Sequence, residues 1–348
     1  AVVDVVAAPA PTAAPAAPAE AAAGAAAGAG AEGELVGGTG DFKHFDSVEG
    51  SEDHRYLTRL PEQVPHNLRA FQKVVAKEYS SLGADLPDTI WVRCYEDNVQ
   101  LMRVAMVGAA GTPYHDGIYL FDVMLPAEYP NIPPEVCYHS GGMRINPNLY
   151  ENGKVCLSLL NTWTGKGSEV WHPESSTLLQ VLVSIQGLVL VPKPYFNEAV
   201  GGHAPSLPPL FTGDVGYERQ AGSGEGEKNA VLYNESAFLL SCKTMLNVLR
   251  RPPAHFEALV RAHFKERGAH ILACCDAYLA GARVGSRPEF DPARESTFGG
   301  NGDGGACTTG FGLMLAKLRP KLEGAFRAVG ALDGAAGPGG GGGPPPAP

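Results

Sequence analysis

Asn146-Pro147-Asn148-Leu149-Tyr150-Glu151-Asn152-Gly153-Lys154-Val155-Cys156-Leu157-Ser158-Leu159-Leu160 sets one cysteine in a long stretch without helical or strand periodicity. The polar and glycine residues ahead of it predict a backbone close to the surface. Asn148 lies eight residues before Cys156, near enough for the chain to fold back over the thiol. An amide beside a thiolate suits acyl transfer: the sulfur holds the acyl group and the N–H stabilises a developing oxyanion. A lone cysteine does not establish that chemistry, because Cys is among the most buried residue types. The other six cysteines read as inert packing residues. No histidine has a spacing that marks it as an activating base.

Upstream of this stretch the pattern is helix, then strands. Leu68, Phe71, Val75, Tyr79 and Leu82 recur at helical spacing, which predicts a helix over 66–82 with one buried face. Gly83 is expected to end it, and Pro87 to keep it from resuming. Ile90 to Tyr95, Gln100 to Val107 and Ile118 to Leu125 read as strands with short connections, an antiparallel meander. A Pro-rich stretch, Pro126 to Pro134, leads to a fourth strand at Glu135 to His139.

Downstream, an apolar helix is expected from Ser176 to Leu190, stopped by Pro192 and Pro194 and buried all round. Residues 201–227 are Gly-, Pro- and Ser-rich and read as a loop. Helices follow at Lys228 to Leu249 and Ala254 to Leu279, separated by Arg250-Arg251-Pro252-Pro253, where the arginines suit a helix C-terminus. Their many large apolar residues predict that they belong to the folded unit. A last helix falls within Gly312 to Val329, broken by Pro320. Helix, meander, irregular segment, then helices is an α+β order and not a βαβ one.

The divisions are a tail at 1–40, a lead-in at 41–65 that docks on something, a core at 66–200, the 201–227 loop, a helical extension at 228–282 and a tail at 283–348. Both tails are dominated by Ala, Pro and Gly, and are expected to be disordered except for the last helix. The chain starts with Ala1, as a fragment or a processed form would. A net charge of −10 argues against a nucleic-acid binder. No secretory or transit pattern is visible, and no apolar run reaches membrane-spanning length. Seven cysteines without framework or CxxC spacing argue against a metal site and suit the cytosol or nucleus. No phosphate loop or GxGxxG follows a strand, and no cofactor is implied.

The block from Phe71 to Glu198 resembles the ubiquitin-conjugating (UBC, E2) fold. The resemblance is carried by Thr112-Pro113-Tyr114-His115-Asp116-Gly117, Tyr119-Leu120-Phe121-Asp122-Val123, Leu125-Pro126-Ala127-Glu128-Tyr129-Pro130, Asn146-Pro147-Asn148 and Gly153 to Leu160. Asn161-Thr162-Trp163-Thr164-Gly165-Lys166-Gly167-Ser168-Glu169 before Trp171, with Pro194-Tyr195-Phe196-Asn197-Glu198, is closest to the large hybrid E2/E3 branch. The lead-in Phe42-Lys43-His44-Phe45-Asp46 resembles plant members of that branch. The resemblance implies a ubiquitin thioester on Cys156, with Asn148 as the oxyanion or loop-ordering residue. The family's usual His-Pro-Asn reads Asn146-Pro147-Asn148, and Asn146 is expected to substitute for a structural histidine. The acid that helps to position an incoming lysine has no clear equivalent, Glu198 being the nearest.

The same resemblance implies ubiquitin, the activating enzyme E1, substrate proteins and E3 ligases as partners. Arg69, Lys73 and Lys77 form a basic stripe where that family meets E1; the plain alternative is a solvated helix face. Ile132, Pro133 and Pro134, with Trp163 or Trp171, would form a ridge for E3 partners; the plain alternative is a rigid turn with core aromatics. Two rival functions stay open: a non-catalytic ubiquitin-binding adaptor, and conjugation of another ubiquitin-like modifier.

Overall fold

The computed structural model describes residues 42–197 apart from 164 and 166, then 222–286 and 307–333. Its centre is a five-stranded sheet in the order β1-β2-β3-β4-β5. The strands are β1 (Phe45–Val48), β2 (Ile90–Tyr95), β3 (Leu101–Val107), β4 (Ile118–Met124) and β5 (Glu135–Tyr138). β2 to β5 form the expected antiparallel meander. The fold is therefore the α+β class that the element order indicated, with one strand more than four. β1 comes from the lead-in and pairs parallel with β2. Four residues of mixed burial at a sheet edge carry too little periodicity to be read as a strand.

The helices are α1 (Leu68–Asp85), α2 (Leu178–Ser184), α3 (Gly224–Arg250), α4 (Glu257–Leu279) and α5 (Thr309–Ala328). α1 starts at an Asn67 cap whose side chain accepts from the Ala70 N–H. Gly83 does not end α1; the helix runs on to Asp85 and stops at extended Leu86, ahead of Pro87. Leu68, counted on the buried face, is the first residue of α1 and is 56% exposed. α2 begins with a capping box between Thr177 and Gln180 and widens into a π-helical turn over Ile185–Val189. That turn leaves Leu188 half-exposed, against the all-round burial expected there.

Side-chain alternation sends the two faces of the sheet to different cores. Val92, Val104, Phe121 and Val123 pack with Phe71, Val75 and Leu82 of α1 and with α2. On the opposite face, Trp91, Ala105, Ile118 and Leu120 pack with Phe238, Phe256, Leu259 and Phe264 of the C-terminal helices. The extension is thus the second cover of the sheet, as its apolar content required. α5 runs unbroken through Pro320, against the expected break. A helix-interior proline costs roughly 3 kcal/mol. Phe311, Leu315, Leu318, Leu322 and Phe326 are buried along α5, and at roughly 1.5–3 kcal/mol per large side chain their docking outweighs it. α3 already starts at Gly224, inside the segment read as loop, on a Ser223 cap. The expected tails lie outside the described residues, apart from 283–286 and 307–333.

The rest of that second face is polar and is closed by the lead-in. Arg103 and Asp122 are cross-strand partners, both buried. The Arg103 guanidinium reaches Asp122 at 2.7 Å and takes Asp53 of the lead-in at 2.8 and 2.9 Å. The His139 ring lies 2.9 Å from the Asp122 carboxylate. Burial would push that carboxyl up, but the hydrogen bonds from His139 and Arg103 and their charges hold it well below the usual range. Arg93 stacks its guanidinium over Phe42, 4.0 Å from the ring centre, and fastens the start of the lead-in to α4 through Phe256.

Candidate active site

The cysteine stretch is a short hairpin, not an open loop. Leu149 bridges Val155, and Cys137 at the edge of β5 bridges Lys154. The Tyr150 N–H donates to the Lys154 carbonyl, and Gly153 turns the chain at a φ of +90°. A Cβ at Gly153 would lie 2.5 Å from the Cys137 sulfur and 2.8 Å from the Tyr138 carbonyl, so glycine is required there.

Cys156 sits where this hairpin closes. Its N–H donates to the Asn148 carbonyl at 2.9 Å. The Asn148 side-chain nitrogen returns a bond to the Cys156 carbonyl, also at 2.9 Å. A carbonyl can only accept, which sets the amide orientation and leaves Asn148 Oδ1 buried with no partner among the described residues. The two residues named from spacing are therefore joined at both ends of a clasp. In this arrangement the Asn148 amide orders the loop.

Asn146 has the structural part expected of it. Its side-chain nitrogen donates to the Tyr114 hydroxyl at 2.8 Å and to the Val189 carbonyl at 2.7 Å. Its oxygen accepts the Asn148 N–H at 2.8 Å. Asn146 thus ties the start of the hairpin to the π-helical turn and to the β3–β4 connection.

Thr162, in sequence only one residue of a branch signature, has a definite task in the structure. Its hydroxyl accepts the Leu157 N–H at 2.9 Å and donates to the Val155 carbonyl at 2.7 Å, the residues on either side of Cys156. Gly165 then lies against Ser158; a Cβ there would come within 2.7 Å of the Ser158 Cβ. Cys156 is 2% exposed, against the surface position that its polar neighbours suggested. No sequence period announces such a contact, because it depends on an irregular segment.

No disulfide joins the seven cysteines. Burial pushes the thiols of Cys94, Cys137 and Cys242 up, that of Cys274 to about 12 and that of Cys307 to about 11. These five are poor nucleophiles at neutral pH, consistent with packing roles. Among the described residues no group of His, Cys, Asp and Glu is placed to hold a metal, and no helix is long and apolar enough to cross a membrane.

The remaining candidates separate. Arg69, Lys73 and Lys77 are all exposed on α1 and pair with no carboxylate among the described residues. Ile132, Pro133 and Pro134 line a cleft of ≈ 250 Å³ with Leu160, Thr162 and the lead-in residue Tyr56. Ile132 is 39% exposed, whereas Pro134 is buried. Trp171 does not belong to that ridge. It is buried against Tyr129, its indole N–H donating to the Pro130 carbonyl at 2.7 Å, and it is a core aromatic. Trp163 is partly exposed and does not line the cleft. Glu198 lies outside the described residues.

A sheet covered by α1 and α2, with a single cysteine clasped by an upstream asparagine beside β5, is the architecture of the ubiquitin-conjugating fold. The ubiquitin-conjugating enzyme family profile matches residues 74–201. The chain is 49% identical over 290 residues to the probable ubiquitin-conjugating enzyme E2 24 of Arabidopsis thaliana, covering 83% of this chain and 29% of that protein. It is 47% identical over 261 residues to the putative ubiquitin-conjugating enzyme E2 38 of Arabidopsis thaliana, covering 74% of this chain and 75% of that protein. The dual E2 ubiquitin-conjugating enzyme/E3 ubiquitin-protein ligase BIRC6 of Homo sapiens is 35% identical over 255 residues, 69% of this chain and 5% of that protein. The chain belongs to the ubiquitin-conjugating enzyme E2 family. It spans less than a third of the length of the first of these relatives.

Proposed function

We propose that this chain accepts ubiquitin from E1 as a thioester on Cys156 and transfers it to a lysine of a substrate protein. The observation that carries the reading is the Asn148–Cys156 clasp, set within a chain of this family. In loading, the Cys156 sulfur attacks the carbonyl carbon of the E1-bound thioester. A new C–S bond forms, the E1 sulfur leaves, and the proton given up by Cys156 ends on the E1 thiol. In transfer, a lysine amine attacks the Cys156 thioester. The C–N bond forms, the C–S bond breaks, and the departing sulfur is reprotonated by the proton the amine loses. Holding the two partners together supplies much of the acceleration.

The burial of Cys156 adds a step. A residue 2% exposed gives an incoming thioester little room, so loading includes a local opening around Cys156. Asn148 holds the loop before loading. Its Oδ1, buried without a partner, is an acceptor suited to an N–H of the ubiquitin tail or of the incoming lysine. The exposed stripe Arg69, Lys73 and Lys77 would meet E1, and the Ile132–Pro133 edge would meet E3 ligases. One relative is named a dual E2/E3 enzyme, which favours transfer without a separate ligase. A reducing cytosolic or nuclear setting suits a working thiol.

Incubation with E1, ATP and ubiquitin, or each other ubiquitin-like modifier in turn, tests the reading on non-reducing gels. A reductant-sensitive adduct with ubiquitin alone is expected. An adduct with a different modifier alone would reassign the substrate, and binding of ubiquitin without any adduct would make the chain an adaptor.

A further inference from the structure

A groove of ≈ 930 Å³ runs between β4–β5 and the C-terminal end of α3, and nothing in the acyl-transfer chemistry uses it. Arg55, Arg250 and Arg251 line it, from the lead-in and from the end of α3. All three are exposed, and none of their guanidinium groups pairs with an acid or a carbonyl among the described residues, although the Arg55 backbone N–H donates to Asp122. The carboxylates along the groove are otherwise engaged: Asp53 is held by Arg103, and Asp122 by Arg103 and His139. Glu151 is the single lining acid without such a partner. With Arg103 counted, four guanidinium groups meet three carboxylates here, a small positive excess on a chain whose net charge is −10.

A helix C-terminus accounts for cations at Arg250 and Arg251. It does not account for Arg55, which arrives from the opposite side of the groove. Three guanidinium groups present flat forks that match carboxylates two bonds at a time. Between them the groove offers Asn247 and Asn152, side chains able to bond a peptide backbone, over apolar Leu120 and Val248. Asp53, Asp122 and Glu151 stand among the arginines, which suits discrete carboxylates better than a continuous phosphate backbone.

We propose that this groove docks an acidic, extended peptide segment of the substrate protein. The groove reaches Asn152 at the tip of the cysteine hairpin, four residues before Cys156. At no more than about 3.6 Å per residue, its rim lies within about 14 Å of the Cys156 backbone. A substrate lysine a few residues from the acidic segment is thereby presented to the thioester. The substrate assignment rests on the acyl-carrier reading; the binding assignment does not.

The test uses the full chain and a short fluorescein-labelled peptide of glutamate, glycine and one lysine, beside the same peptide with glutamine for glutamate. Anisotropy is expected to show tighter binding of the acidic peptide, weakening with salt. Arg250→Glu with Arg251→Glu should lose at least about tenfold of that binding, and Arg55→Gln a smaller part, with unchanged melting temperatures. The acidic peptide should also accept ubiquitin from loaded chain at lower concentration than the glutamine peptide, and the double variant should erase that advantage. Equal binding of the two peptides, undiminished binding by the double variant, or tighter arginine-dependent binding of an RNA oligonucleotide would each overturn the proposal. Acidic-peptide binding without any ubiquitin adduct would instead count against the acyl-carrier reading and leave the docking site standing.

Discussion

Asn148 and Thr162 hold the backbone of Cys156 from two sides, and each can be removed without touching the thiol. Asn148→Ala loses the bond to the Cys156 carbonyl and, with it, a side-chain N–H donor beside the cysteine. Single-turnover discharge to free lysine is expected to slow, by on the order of 10²–10³ where the amide meets the developing charge. Unchanged discharge would remove Asn148 from the mechanism. Thr162→Val keeps the shape of the side chain but strands the Leu157 N–H, a loss of roughly 1–3 kcal/mol if that group stays out of water. Loading should slow in Thr162→Val and be restored in Thr162→Ser; equal rates in all three forms would make the hydroxyl irrelevant. Cys156 and Asn148 could be named from spacing and resemblance. Thr162 could not, because its role comes from where an irregular segment returns, and hydrogen bonds of that kind leave no period in a sequence.

At the level of elements, α4 is fastened to the β3–β4 connection by Asp116. Arg267 donates to one of its carboxylate oxygens at 2.7 Å, and the His115 ring lies 2.7 Å from the other. Burial alone would push the Asp116 carboxyl up; the hydrogen bond and charge of His115, with the charge of Arg267, hold it well below the usual range. Burial lowers the pKa of His263, whose Nε2–H donates to the Asp116 carbonyl. Both shifts have the same sign for stability. A depressed folded pKa contributes stability above the unfolded value and loses it as pH falls. For His263 the loss begins below about pH 6.5, and for Asp116 below about pH 4. Thermal melts across pH 7 to 3 should therefore show falling stability in two steps. Asp116→Asn should be less stable at pH 7 and lose less on descending below pH 4; an unaltered acid limb would dissociate this clasp from acid stability. The helices involved were legible from their apolar content, but the clasp itself, built by residues some 150 apart in sequence, was not.

At the level of the whole molecule, the sheet has no bare face under the C-terminal helices. Phe326 of α5 is fully buried and stacked on Phe264 of α4, ring centres 5.6 Å apart. Phe326→Ala is expected to cost about 3–5 kcal/mol, read as a lower midpoint in denaturant. A change within error would mean that α5 does not share the core. The meander, α1 and the helical extension could be read because apolar periodicity reports which side chains leave water. β1 and the unbroken α5 could not, since an edge strand of four residues carries no clear period and packing overrode the local signal of Pro320. The core that results presents one clasped cysteine, and the account stands on that residue. Its most direct test is loading of the full chain with E1, ATP and ubiquitin, followed by non-reducing electrophoresis of wild type beside Cys156→Ala. The account predicts a reductant-sensitive ubiquitin adduct in the first and none in the second; an adduct of equal yield in Cys156→Ala would contradict it.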